Sequence, residues 1–381
     1  MTTREREIST KIKLYAKQYP IITIVGPRQS GKTTLAKEIF ADKPYISLED
    51  LDNRNFATED PKGFLKEYAK GAIIDEVQRA PDLCSYLQTI VDEDDQPGKF
   101  ILTGSQQFEI FNNISQSLAG RTAIVKLLPF TMAEAYPKKL PRLEELLYRG
   151  FYPRIFAKNL VPTEMLSFYT ETYLERDVRN LINVKDLAKF NLFLRLCAAR
   201  TGQLVNLSNI ANECGVQHNT IKSWLNILEA SFVIKLLQPY HQNINKRLVK
   251  APKLFFLDVG LASFLLGINE QEQLKFHPLK GALFETLIVS ELLKQRFNQG
   301  QRDNLYFYRD SNGNEIDIIK DNGVEIELCE VKLAQTVSNH FFRNFVAFPE
   351  LENIKINKSL IYGGQKSYQF KDYQILSYKD L

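Results

Sequence analysis

The apolar run "IITIV" at residues 21–25 leads directly into "GPRQSGKTT" and then "LAKEIF", and this junction constrains the fold more than any other stretch. Five consecutive residues apolar on both faces describe a strand buried inside a sheet that is covered on two sides, which is the habit of parallel sheets. Gly26, Gly31, Lys32 and Thr33 then satisfy G-x-x-x-x-G-K-[ST], with a helical pattern following at once. The two glycines let the backbone curl so that successive N–H groups face inward, and the helix amino terminus adds its dipole. A loop built this way cradles phosphates. We expect Gly26, Pro27, Arg28, Gln29, Ser30, Gly31, Lys32, Thr33 and Thr34 to contact ATP, with Lys32 neutralising the β- and γ-phosphates and Thr33 ligating Mg2+.

Further short apolar runs, "PYISL", "GAIIDE", "KFILTG" and "TAIVKLL", alternate with helical patterns up to about residue 130, as a covered parallel sheet requires. The third strand ends in Asp75 and Glu76. Asp75 is placed to hold Mg2+, and Glu76 to polarise the attacking water. In "KFILTGSQQF", Thr103 or Ser105 can sense the γ-phosphate at a strand end. Arg121 follows the helical stretch 106–120, where an arginine can face a neighbouring subunit's nucleotide in trans or make a surface ion pair.

The segments "GPRQSGKTTLAKEIF", "IIDEVQRAPDL", "ILTGSQQF" and "LAGRTAIVKLLPFTMAEAY" resemble the amino-terminal AAA+-type ATPase module of a widespread prokaryotic family. In that family a winged-helix region and a conserved domain of uncharacterised function follow. The resemblance implies Walker A at Gly26–Thr34, Walker B at Asp75 and Glu76, a sensor at Ser105, a candidate arginine finger at Arg121, and a homo-oligomer, a ring of about six copies or fewer.

At 381 residues the chain is long enough for two or three domains. We expect a P-loop AAA+-like domain over 1–134, a helical and winged-helix domain over 135–268, and an α/β PD-(D/E)XK-like domain over 269–381. The formal charge of +4 demands no polyanionic partner, though local patches can bind one. Four scattered cysteines without C-x-x-C spacing argue against a disulfide framework or a zinc site. The charged amino terminus has no apolar core of a signal peptide, and no run approaches a membrane span, so a cytoplasmic protein without a membrane partner is expected.

The middle segment "LVNLSNIANECGVQHNTIKSWLNILEASFVIKLLQPY" carries helix-turn-helix punctuation: Asn206 or Ser208 as N-cap, Gly215 at the turn, and Ile221, Trp224, Leu225 and Leu228 inward on the second helix. "FVIKLLQPY" and "KLFFLD" read as a wing. In DNA-binding versions the second helix offers its first side chains to the major groove, here Gln217, His218, Asn219 and Lys222, while Lys246, Arg247, Lys250 and Lys253 reach phosphates. The same architecture also serves as a packing or protein-binding module.

In "NEIDIIKDNGVEIELCEVKLA", Asn322-Gly323 reads as a two-residue hairpin loop. Asp317 then pairs with Leu328 and lies diagonal to Glu330, roughly 7–8 Å away on the same face. Lys332 shares that face, and Glu285 on the preceding helical pattern can supply a third carboxylate. An acid, Glu-x-Lys on the partner strand and a helical Glu resemble the PD-(D/E)XK nuclease core, which implies Mg2+ on Asp317, Glu330 and Glu285, with Lys332 orienting the hydrolytic water. The aromatics of "YFYRDSNG" with Arg309 suit either a nucleic-acid groove or a strand's buried face. These features lead us to expect an ATPase that processes DNA, with or without cleavage. The alternative is a nucleotide-switched regulator whose carboxy-terminal domain only binds. A protein-remodelling ATPase would need a pore loop, and none is identifiable.

Overall fold

The computed structural model describes residues 4–105, 117–174, 186–240, 251–349 and 354–381. Strands Ile21–Val25 (β1), Tyr45–Ser47 (β2), Ile73–Asp75 (β3), Phe100–Gly104 (β4) and Thr122–Lys126 (β5) form an all-parallel sheet in the order β2-β3-β4-β1-β5. Period-2 alternation splits β1 between two cores. Ile22 and Ile24 pack with Ile8, Ile12, Leu35 and Ala36, whereas Ile21 and Val25 join Leu83, Leu87 and Phe100 on the other face. All five expected strands are present, and their carboxyl ends point to one edge. Ligands bind at such an edge in open parallel sheets.

The helices Leu187–Ala199, Leu207–Cys214 and His218–Ala230 pack around Trp224, whose ring lies 5.3 Å from Phe190 and 5.1 Å from Phe193. Asn206 is the N-cap, accepting from Asn209 N at 3.0 Å, and Gly215 closes the first helix at φ 61°. The helix-turn-helix is therefore formed as its punctuation predicts. Strands Ile234–Pro239 (β6) and Lys253–Phe256 (β7) pair antiparallel after it. Lys246, Arg247 and Lys250, like the stretch 106–116 ahead of Arg121, lie outside the described residues.

The wing is not a free hairpin. β6 also pairs parallel with Leu305–Arg309 (β8) at Gln238–Tyr306 and Pro239–Phe307. β8 continues into Glu315–Asp321 (β9), Glu325–Lys332 (β10), Lys355–Tyr362 (β11), Tyr368–Phe370 (β12) and Tyr373–Ser377 (β13). One sheet of eight strands, ordered β12-β13-β11-β10-β9-β8-β6-β7, thus spans the boundary expected near residue 268. In β8, Phe307 is buried, and Tyr306 and Tyr308 pack on Tyr240 and Phe348, so these aromatics serve the core.

The β9–β10 register differs from expectation. Leu328 pairs with Ile319 and Cys329 with Ile318, which sets Glu330 opposite Asp317 in place of Leu328. The cause lies in the turn. Asp321 Oδ1 accepts from Gly323 N at 2.8 Å and Asn322 N donates to Glu325 O at 3.0 Å, which lengthens the loop to four residues. A shift by two keeps every side chain on its face. Among the described residues no helix is long and apolar enough to cross a membrane.

Candidate active site

Both special features of the loop after β1 follow from its glycines. A Cβ on Gly26 would lie 2.0 Å from the carbonyl oxygen of Leu127, and Gly31 sits at φ 93° just before the helix Lys32–Ile39. The first allows the loop to pass against the exit of β5, and the second turns the chain into the helix. Lys32 Nζ donates to the carbonyls of Gly26 and Pro27, both at 2.9 Å. Ser30 Oγ and Gln29 Oε1 are buried in the loop without hydrogen-bond partners, polar atoms of the kind a phosphate cradle offers to a ligand.

Asp75, at the end of β3, is 7% exposed and collects three hydroxyl donors. Thr33 Oγ1 reaches its two oxygens at 3.2 and 3.1 Å, Tyr45 OH donates at 2.8 Å, and Thr103 donates from β4. A threonine hydroxyl beside a buried carboxylate is the oxygen donor set Mg2+ prefers, so these residues fit the ion. Burial and the Asp75 carboxylate push the Tyr45 phenol up to about 12, which keeps it a donor. Glu76 sits beyond the strand in left-handed backbone at φ 58°, a conformation a non-glycine residue holds only when its surroundings enforce it. Ser105 donates to Glu76 Oε2 at 3.2 Å, and Gln78 binds the same oxygen. Of the two sensor candidates, Thr103 therefore bonds Asp75 and Ser105 bonds Glu76.

The loop opens into a cleft of about 630 Å³ that also takes in Arg4, Arg6, Arg154 and Phe156. None of these four was expected. Arg6, 6% exposed, donates to Glu134 Oε1 at 3.1 Å, Ser30 O at 2.8 Å and Leu128 O at 2.7 Å. It buttresses the phosphate loop from below. Arg154, exposed at the start of the helix Pro153–Lys158, brings a cation to the cleft from the middle unit. No spacing signal marks it.

Arg121 lies elsewhere. It precedes β5, whose first residue pairs with the first residue of β1, whereas the phosphate loop follows the last. Its guanidinium makes a bidentate pair with Asp92, at 2.5 and 2.8 Å. Arg121 is thus not part of its own chain's phosphate site.

The carboxy-terminal acids are close together, but they pair with lysines. Lys332 Nζ lies 2.9 Å from Asp317 Oδ2 and 2.5 Å from Glu330 Oε2, while Lys253 Nζ lies 2.5 Å from Glu315 Oε1 and 3.3 Å from Glu285 Oε1. Burial raises the Glu330 carboxyl to about 8, helped by Asp317, and burial likewise raises Glu285 to about 7 against the pull of Lys253. Lys253, expected to reach phosphates, is only 3% exposed, because its strand, the last of the shared sheet, is flanked by the segment 202–205 and points the lysine at Glu285 and Glu315. Among the described residues, no group of three acidic, histidine or cysteine side chains is arranged to hold a metal, so Glu285, Asp317 and Glu330 do not form the expected ligand set. By contrast, Gln217, His218, Asn219 and Lys222 are all exposed at the start of their helix.

Residues 18–136 match the family model of an AAA domain. Residues 140–272 and 280–381 match two domains of unknown function, DUF8612 and DUF4143. The uncharacterized protein Rv2008c of Mycobacterium tuberculosis is 28% identical over 376 residues, 98% of this chain and 83% of that one. An uncharacterized protein of Haemophilus influenzae is 22% identical over 340 residues, 78% of this chain and 80% of that one. Among solved structures, the Walker-type ATPase of Pyrococcus abyssi is similar at a TM-score of 0.46 and 16% identity, over 68% of this chain and 94% of that one. RuvB of Thermotoga maritima is similar at 0.29 and 16%, over 60% and 88%.

Proposed function

From an AAA-type P-loop ATPase module joined to a helix-turn-helix and a mixed-sheet domain, we infer that this chain hydrolyses Mg2+-ATP and uses the turnover to act on DNA. The observation carrying the first part is the convergence of Thr33, Asp75, Glu76 and Ser105 at the carboxyl edge of the parallel sheet. ATP entering the cleft draws Lys32 from the Gly26 and Pro27 carbonyls to its β- and γ-phosphates, and the loop amides take the remaining oxygens. Thr33 and Asp75 are the residues that would hold Mg2+, and the ion would supply neutralisation of the charge on the phosphates. Glu76 accepts the proton of the attacking water, with Ser105 and Gln78 fixing its carboxylate until then. Arg121, at the far end of the sheet from its own phosphate loop, is the cation a second copy would offer in trans.

The exposed row Gln217, His218, Asn219 and Lys222 supports DNA as the object of this work, since among the described residues nothing covers the side chains that would enter a major groove. Phosphate release measured with linear, forked and four-way DNA tests the reading. DNA should stimulate turnover, and His218→Ala/Lys222→Ala should reduce that increment. Turnover indifferent to every DNA would remove the DNA role. The second reading, a nucleotide-switched regulator, would then stand, favoured by the lysine-paired acids of the carboxy-terminal domain.

A further inference from the structure

We propose that Lys253 is the resident cation of the carboxy-terminal acidic cluster, so that this domain works without a divalent metal. The cluster has four carboxylates, on Glu285, Glu315, Asp317 and Glu330, and each is engaged by a cationic side chain. Lys253 serves Glu285 and Glu315, Lys332 serves Asp317 and Glu330, and Arg309 reaches Glu315 Oε2 at 3.2 Å. Four carboxylates against three cationic side chains leave at most one net negative charge, too little to hold a divalent ion against nearby ammonium groups.

The fold fixes Lys253 where it is. It is the first residue of β7, bridged to Leu204 and paired with Leu237. Gly202, whose N–H donates to Leu254 O at 2.7 Å, runs directly over Glu285, and a Cβ there would sit 3.2 Å from Glu285 Oε2. A divalent ion on Glu285 and Asp317 would have to displace an ammonium that is almost wholly out of solvent. The lysine arrives from the middle unit and the acids from the carboxy-terminal one, so the charge balance of the cluster depends on the sheet they share.

The test uses the full chain carrying Asp75→Asn, which silences the phosphate loop, with Mn2+ as probe, no nucleotide, and electron paramagnetic resonance of the free ion. This protein should bind no Mn2+ at the cluster, and its melting temperature should not respond to the ion. Lys253→Met should gain a Mn2+ site that Asp317→Asn removes. If Lys253→Met fails to fold by circular dichroism, Lys253→Gln, which removes the charge but keeps a polar head for Glu285 and Glu315, takes its place with the same expected gain of a site. Mn2+ binding with Lys253 intact that Asp317→Asn abolishes would overturn the proposal, and so would a folded Lys253→Met chain that gains no site.

Discussion

Replacing Arg6 by Met should loosen the base of the phosphate loop by about 3 kcal/mol, the lower end of what breaking a buried ion pair costs. The figure follows from what the guanidinium holds. It donates to Glu134 at 3.1 Å, Ser30 O at 2.8 Å and Leu128 O at 2.7 Å, with its carbon 5.0 Å from the Phe130 ring centroid. Met fills the volume but leaves two carbonyls and a carboxylate without that donor. Glu134 keeps the N–H groups of Glu7 and Thr131, both at 2.9 Å, which is why the lower end applies. Amide hydrogen exchange along β1 reports the local opening, and about 3 kcal/mol corresponds to roughly 150-fold faster exchange. The double variant Arg6→Met/Glu134→Gln should recover part of the loss, because it removes the stranded charge. β1 amides exchanging within about fivefold of wild type, a change below roughly 1 kcal/mol, would refute the reasoning, as would strict additivity of the two substitutions.

Glu76→Gln should bind a fluorescent ATP analogue while phosphate release falls by roughly 100-fold or more, the share of a positioned general base; normal turnover would mean another group takes the proton. Gly26→Ala sets a methyl against the Leu127 carbonyl. Overpacking of about 1–3 kcal/mol predicts roughly 5- to 150-fold weaker ATP binding by calorimetry, and unchanged affinity would show that the loop yields freely. Glu291, buried among Met132 N–H, Gln295, Lys294 and Glu134, is pushed by burial up to about 7. Its folded state holds a proton that the unfolded state releases near 4.5, so stability from this group falls as pH rises from about 4.5 to about 7, by at most roughly 1.4 kcal/mol per unit. Glu291→Gln should flatten that slope in melting temperature between pH 5 and 8; an unchanged slope would rule the residue out.

The parts legible in sequence were those with local causes. The strand, glycine loop and helix at 21–39 are contiguous, Asp75 and Glu76 end an apolar run, and Asn206 and Gly215 punctuate two helices with backbone chemistry of their own. What stayed hidden depends on contacts between residues far apart in the chain. Tyr45 meets Asp75 only because β2 lies beside β3, and Arg6 meets Leu128 across the sheet. Arg154 approaches the cleft from the next unit. The hairpin register turned on one hydrogen bond that the Asp321 side chain accepts from Gly323 N, which the Asn-Gly pair alone does not disclose. Lys253 looked like one more basic residue of the wing, because nothing local says that the segment 202–205 flanks its strand or that Glu285 and Glu315 meet its ammonium.

The eight-stranded sheet also bears on how this chain can be divided. Cutting after residue 272 would strip β8 from β6 and the helix Lys280–Asn298 from β7, leaving backbone donors and acceptors of the hairpin open along an apolar edge. A fragment of the amino-terminal and middle units should therefore self-associate in proportion to concentration, and any DNA affinity measured on it would mix true binding with aggregation.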